Sequence, residues 1–258
     1  MSDPGQRSPL KDKPLRLPGQ SVFEQREKLI EDSVSTPMMQ ALLFVLLAGI
    51  EWWRWYTGMK PNPVIFSLAA AAAVGYAALR FFRVRPKLRA LRLGEEGEKA
   101  VGQFLERLRG SGFQVFHDVV GPGFNVDHVL VGPQGLFTVE TKTWSKPSSG
   151  NARIVFDGDT LKVGARSPER DPISQARAQA SWLRGLLAES SGRSVQVRPV
   201  IAFPGWFVET TGRSTDVWVL EPKALPHFIE TEPSRLSPED ARLLAYHLSR
   251  YVRSSQAK

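Results

Sequence analysis

The chain has no cysteine among its 258 residues. Disulfides and thiolate metal sites are therefore excluded. Histidine is scarce as well. His117, His128, His227 and His247 lie far apart, and no pair has zinc-ligand spacing. The nucleotide-binding and hydrolase signatures are missing too. There is no Walker-type loop, no G-x-S-x-G, and no G-x-G-x-x-G after a strand. The Gly94-Glu95-Glu96-Gly97 stretch opens a helix with acids, which repel phosphate. No internal repeat is visible. Nucleophilic Ser/His chemistry and phosphate cradling by a glycine loop both lack support.

Charge is present but unevenly placed. The net charge is +8. Residues 1–93 carry +7 of it and residues 94–258 only +1. The basic excess thus lies outside the C-terminal part and is no argument for nucleic-acid binding there. It surrounds two apolar runs. Residues 1–36 are polar and read as a flexible tail with a short helix at 22–32. Residues 37–56, "PMMQALLFVLLAGIEWWRWY", end in Trp52, Trp53, Trp55 and Tyr56, an interfacial aromatic belt. Residues 64–82, "VIFSLAAAAAVGYAALRFF", are rich in alanine, with Ser67 and Gly75, and suit close helix packing. Together, 37–83 reads as a transmembrane helical hairpin. The alternative is a buried helical hairpin in a soluble domain. Residues 84–93 read as a basic juxtamembrane linker. The six positive charges of 80–92 place both ends in the cytoplasm by the positive-inside rule. The expected location is the bacterial inner (cytoplasmic) membrane, with the basic run facing anionic lipid.

The C-terminal part alternates helices and strands. A helix is expected from Gly94 to about Arg109, and a strand over 113–119. A hairpin follows around Gly132-Pro133-Gln134-Gly135. A small hairpin is expected around Asp157-Gly158 after a loop at 145–151. Asp171-Pro172 is an N-cap and N1 start for a helix to about Glu189. Strands at 195–203 and 216–220 and a last helix from Ser237 complete the reading. The fold class is α/β, a mixed sheet flanked by helices.

The hairpin "NVDHVLVGPQGLFTVETK", residues 125–142, interrupts buried strand with Asp127, Glu140 and Lys142. Symmetric closure about Pro133-Gln134 places Asp127 opposite Glu140 and Asn125 opposite Lys142. Lys142 shares a face with Glu140. Two carboxylates so placed call for a raised pKa, a cationic neighbour or a metal ion. Mg²⁺, with its preference for oxygen ligands, suits such a cluster. A plain Lys142–Glu140 salt bridge is the bland alternative. His128 points to the opposite face from Asp127 and reads as a hydrogen-bonded sheet histidine. Trp144 reads as packing, with base stacking as the alternative.

These residues resemble a known family. Asp127 followed by Glu140-Thr141-Lys142 looks like the PD-(D/E)xK nuclease signature. With "GEEGEKAVGQFL" at 94–105 and "DPISQARAQASWL" at 171–183, the stretch 94–205 resembles the nuclease-related (NERD) domain. Residues 206–258 would be a C-terminal strand and helix extension packing on it. The resemblance implies a restriction-endonuclease-like sheet and a metal-dependent nuclease. Asp127, Glu140, Glu98 and the Thr141 carbonyl would hold Mg²⁺, with Mn²⁺ as substitute. Lys142 would orient or deprotonate water, and Gln175 would support the site. Val126 stands where the signature has proline, which is not a ligand. The implied partner is nucleic acid, DNA ahead of RNA. The alternative is a non-cleaving nucleic-acid-binding or scaffold module on the same fold.

Overall fold

The computed structural model describes residues 14–146, 153–163, 171–212 and 216–255. The 145–151 loop, from residue 147 on, and residues 1–13 of the polar tail lie outside them. The chain forms two compact units. One is Ser21–Leu93, and the other combines Met1–Gln20 with Gly94–Lys258.

The first unit is helical. α1 (Gln20–Ile30) continues through a π-type turn at Glu31–Ser35 into α2 (Thr36–Tyr56). After a short loop, α3 (Pro63–Leu105) begins. Within this unit α2 and α3 are tied at the loop end. Trp52 Nε1 donates to Ser67 Oγ (3.0 Å), and the Asn62 N–H donates to Glu51 (3.0 Å). At the π-type turn before α2, Ser33 Oγ accepts from Arg80 of α3. Ala41, Ala48, Ala70 and Ala77 are buried in the two helices of this unit, as are Pro37 and Pro63. Small residues let backbones approach closely. The large side chains, Leu42, Leu43, Leu46, Leu68 and Leu79 among them, point outward. Both helices are long and apolar enough to cross a membrane. The sequence suggested a linker at 84–93 and a new helix start at Gly94. Instead α3 runs on without a break, with Pro86 inside it. No glycine pair or cap stops the helix there, and Gly94 and Gly97 remain helical.

In the second unit, α3 ends in a 3₁₀ turn at Glu106–Ser111, closed by Gly112 at φ 86°. Among the described residues eight strands follow in chain order: β1 (Gln114–Val120), β2 (Asn125–Gly132), β3 (Gly135–Thr141), β4 (Arg153–Phe156), β5 (Leu161–Val163), β6 (Val197–Ala202), β7 (Phe207–Thr210) and β8 (Trp218–Leu220). Between β5 and β6 lies α4 (Pro172–Ser191). After β8 come α5 (Leu225–Glu230) and α6 (Pro238–Ser255). The main sheet has the order β1-β2-β3-β6-β8, and β5-β4-β7 form a smaller one. β1 to β3 are antiparallel, while β6 joins β3 and β8 in parallel. The sheet is mixed and flanked by helices, as the alternation of elements implied. Strand β7 and helix α5 are too short to show a period in the sequence.

Helices cover both faces. The end of α3 (Val101, Leu105) and α5 (Leu225, Ile229) pack with Leu130, Phe137 and Val139. On the other face α4 (Leu183, Leu187) and α6 (Leu244, Leu248, Val252) pack with Val129, Val131 and Leu136. The strands alternate side chains between these two cores, which fixes their register. The β2–β3 hairpin pairs Gly132 with Gly135 and proceeds to His128 with Val139, the symmetric closure expected from its turn.

Glycine matters where α3 passes the end of β3. A Cβ on Gly97 would run into the Thr143 side chain, with Thr143 Cβ and Cγ2 at 2.8 and 2.9 Å. No rotation of the threonine removes all three of its crowding atoms. Gly97→Ala should therefore destabilise the protein by about 1–3 kcal/mol, read from denaturant unfolding.

Candidate active site

The site forms where β2 and β3 part. Their ladder ends at His128–Val139, one pair before Asp127 would meet Glu140. Beyond that point β3 keeps its partner on the other side, pairing Glu140 with Ile201 and Thr141 with Ala202. The Lys142 N–H continues to the Ala202 carbonyl. On the β2 side, Asn125 pairs with Val120 rather than with Lys142. The Thr141 N–H, released from the hairpin, donates to Asp127 Oδ2 at 2.7 Å. So the Asp127 carboxylate itself bridges the gap between the strands. Oδ1 makes no hydrogen bond within the described residues.

Glu140 is 4% exposed. Burying a carboxylate is costly unless it is paired and hydrogen-bonded. Here it is both. Oε1 accepts from Lys142 Nζ (2.6 Å) and Gln175 Nε2 (2.7 Å), and Oε2 accepts from Gln179 Nε2 (2.6 Å). Gln175 Oε1 in turn accepts from Lys142 Nζ (2.9 Å), and Gln179 Nε2 also reaches the Asn125 carbonyl (3.0 Å). The two glutamines sit one turn apart on α4, on one face. Asp171 starts that helix, its side chain accepting from the Ile173 N–H at 2.9 Å. The cap and the following Pro172 set where the helix begins, and hence which face carries the amides.

Direct hydrogen bonds thus join Asp127 to Thr141 and, separately, Glu140, Lys142 and Gln175 to one another. Glu98, on α3, is coupled to them through its charge environment. Burial first, then the charges of Asp118 and Glu140, push its carboxyl up to about 8. Burial, followed by the charges of Glu140 and Glu98, pushes Asp127 well above the usual carboxylate range. Gln179, which completes the hold on Glu140, was not singled out from the sequence. Its signal was the i, i+4 spacing from Gln175.

The sheet histidine also has partners. His128 Nδ1 lies 2.9 Å from His117 Nδ1, and His117 Nε2 lies 2.9 Å from Glu106 Oε1. His128 Nε2 is 3.3 Å from Thr141 Oγ1. Donation from His117 to the Glu106 carboxylate leaves its Nδ1 as acceptor. His128 then donates through Nδ1 and accepts from the Thr141 hydroxyl. Burial pushes the pKa of each ring down. Trp144 packs on Phe203 at 4.8 Å between ring centroids, in agreement with a packing role.

Could a metal ion fit? Among the described residues no three His, Cys, Asp or Glu side chains converge as a metal-holding group. In this arrangement the Lys142 ammonium neutralises Glu140. The donor chemistry nonetheless suits a hard dication. Asp127, Glu98 and Glu140 offer oxygens only, and two of them bear the mark of mutual repulsion that a cation would relieve.

With this geometry in view, residues 93–204 match the model of the family described as nuclease-related domain (NERD). The matched segment contains every residue of the cluster above. A nuclease-like function and interaction with nucleic acid in general follow from it. Comparison with curated proteins and with solved structures finds no match for the chain.

The raised carboxyl of Glu98 gives a signed pH dependence. Its pKa in the folded state, about 8, lies above its ordinary value of 4.5. The folded state therefore favours the proton. That stabilisation is complete below pH 4.5 and is lost as pH rises through 8. Metal-free protein should melt at lower temperature at pH 9 than at pH 6. Glu98→Gln should flatten that slope in a calorimetric pH series.

Proposed function

We propose that the protein is a membrane-anchored nuclease that hydrolyses phosphodiester bonds of DNA with Mg²⁺. The observation that carries this reading is the ion pair of half-buried Lys142 with buried Glu140, held by two glutamines beside Asp127 at the parted end of a hairpin in a segment that matches the nuclease-related domain. Structural salt bridges rarely recruit two amides, one buried and one half-buried, to orient one carboxylate. Sites that must place a charged group within a fraction of an ångström do.

The chain's own residues divide the work. Asp127, Glu140, Glu98 and the Thr141 carbonyl would hold Mg²⁺, which, when bound, polarises a phosphoryl oxygen and lowers the pKa of coordinated water. Lys142 orients the attacking water and offsets the charge that develops on phosphorus-bound oxygens. Glu140 and Gln175 together fix Nζ, so the ammonium enters the reaction already placed. Gln179 clamps the far oxygen of Glu140 and prevents the carboxylate from swinging toward solvent.

A second reading is a binding or scaffold module that does not cut. The near-neutral charge of residues 94–258 favours it, as does the lack of a three-carboxylate group among the described residues. Activity separates the two. Purified full-length protein in detergent is tested on labelled DNA and RNA, with Mg²⁺, Mn²⁺ or EDTA. Asp127→Ala and Glu140→Ala should each lower cleavage by about 10²–10⁴-fold. Their combination should cost little more than either alone, because groups acting as a unit are not additive. Lys142→Ala should keep metal-dependent thermal stabilisation and lose cleavage. Gln179→Ala should lower cleavage or metal affinity by about 10–100-fold. Wild-type-like cleavage in Asp127→Ala would falsify the site. Metal binding without cleavage on every substrate would favour the scaffold.

The two apolar helices support an anchor. The lysines and arginines of 80–92 support a cytoplasmic C-terminal side, with the basic run against anionic lipid of the bacterial inner membrane. Full-length protein should resist carbonate extraction of membranes and come out with detergent. Release by carbonate would remove the anchor from the proposal.

A further inference from the structure

A second break in the sheet lies directly across β2 from the first. β1 and β2 pair continuously from Gln114–Val131 to His117–His128, and again at Val119–Val126 and Val120–Asn125. The single pair left out of that register is Asp118 with Asp127. The reason is local. Asp118 has φ 50°, and among the described residues it is the one non-glycine with positive φ. Asp127 consequently has no ladder partner on either side. Its carboxylate takes the Thr141 N–H.

The unusual backbone at Asp118 is held from elsewhere. Its side chain, in a residue only 2% exposed, accepts from Arg16 Nε at 2.6 Å, and Arg16 itself is buried. Asn125 Nδ2 donates to the other carboxylate oxygen at 3.3 Å. Arg16 belongs to the segment before α1, which lies in the same compact unit as the nuclease-related domain. Pro18 of that segment packs where only glycine fits on α3. A Cβ on Gly102 would stand 2.6 Å from Pro18 Cβ. An ion pair joining residues 102 positions apart, buried on both sides, specifies one arrangement of the two segments.

We propose that Arg16 and Asp118 are positioning residues of the site: the N-terminal segment latches Asp118 in its left-handed conformation, and this keeps the β1–β2 ladder open at Asp127 so that its carboxylate bridges to Thr141. The site is then built from two separated stretches of chain. The family match, which begins at residue 93, spans only the second of them. A fragment starting at Gly94 lacks the latch. The proposal gives a positioning role within the phosphodiester-cleaving reading of the site, but its principal readout does not require cleavage.

That readout is amide hydrogen exchange at Thr141, followed in full-length protein in detergent. Arg16→Ala should speed Thr141 exchange by about tenfold or more, while Leu130, in the intact part of the ladder, keeps its protection. Asp118→Gly should retain slow Thr141 exchange, because glycine adopts positive φ without a latch. The double variant Arg16→Ala with Asp118→Gly should restore protection relative to Arg16→Ala. Should Arg16→Ala fail to fold, the double variant still decides the matter. Fast exchange at Thr141 in the double variant overturns the proposal, as does unchanged exchange in Arg16→Ala. Cleavage, where present, should fall in Arg16→Ala. A protein that cuts nothing but shows the exchange pattern keeps the latch and loses only the nuclease reading.

Discussion

Everything at the site depends on satisfying one buried carboxylate inside a sheet. Glu140 lies on a central strand, between β2 and β6, where solvent cannot satisfy it. The fold answers with an ammonium two residues along the same strand and two amides from the helix above. Each donor arrives by a different structural device. Lys142 is delivered by the two-residue period of β3. Gln175 and Gln179 are delivered by the helical repeat of α4, whose start is fixed by Asp171 and Pro172. Removing any donor leaves a buried charge underserved, which is more costly than never having had it.

Local signals made much of this readable in the sequence. The Gly-Pro-Gln-Gly turn and the strand lengths determine the hairpin register. The Asp-Pro cap determines the α4 phase. Side-chain periods assign strands and helices to the right faces, because each periodic element buries one face against another. These features are written within about ten residues, so one segment suffices to read them. The ladder's early end at Asp127 was not legible. It requires that a side chain outcompete a backbone carbonyl for the Thr141 N–H, and that β6 hold the other edge of β3. The same applies to Asp118, whose conformation is dictated by an arginine far away in sequence. Gln179 lay in plain view at helical spacing from Gln175, yet only the position of Glu140 gives it a purpose. His117 gains its role from a histidine on the neighbouring strand and an acid on a 3₁₀ turn.

The continuity of α3 was missed for a different reason. A basic stretch containing proline reads as a break, since proline removes a helical hydrogen bond. The flanking sequence overrides it. Alanine-rich residues precede Pro86, and leucine, arginine and lysine follow, all good helix formers. No capping residue competes. A lone proline bends or weakens a long helix without ending it when both sides propagate strongly.

The glutamines of α4 have a consequence for how the site can be dissected. An amide donates a hydrogen bond without contributing charge. Orientation of Glu140 therefore rests largely on neutral groups, and its electrostatic balance rests on Lys142 and the neighbouring acids. Substitution at 175 or 179 perturbs alignment at constant charge. Substitution at 142 perturbs charge while the amides still grip the carboxylate. Geometry and field, entangled in most polar sites, are here assigned to different side chains and open to separate manipulation.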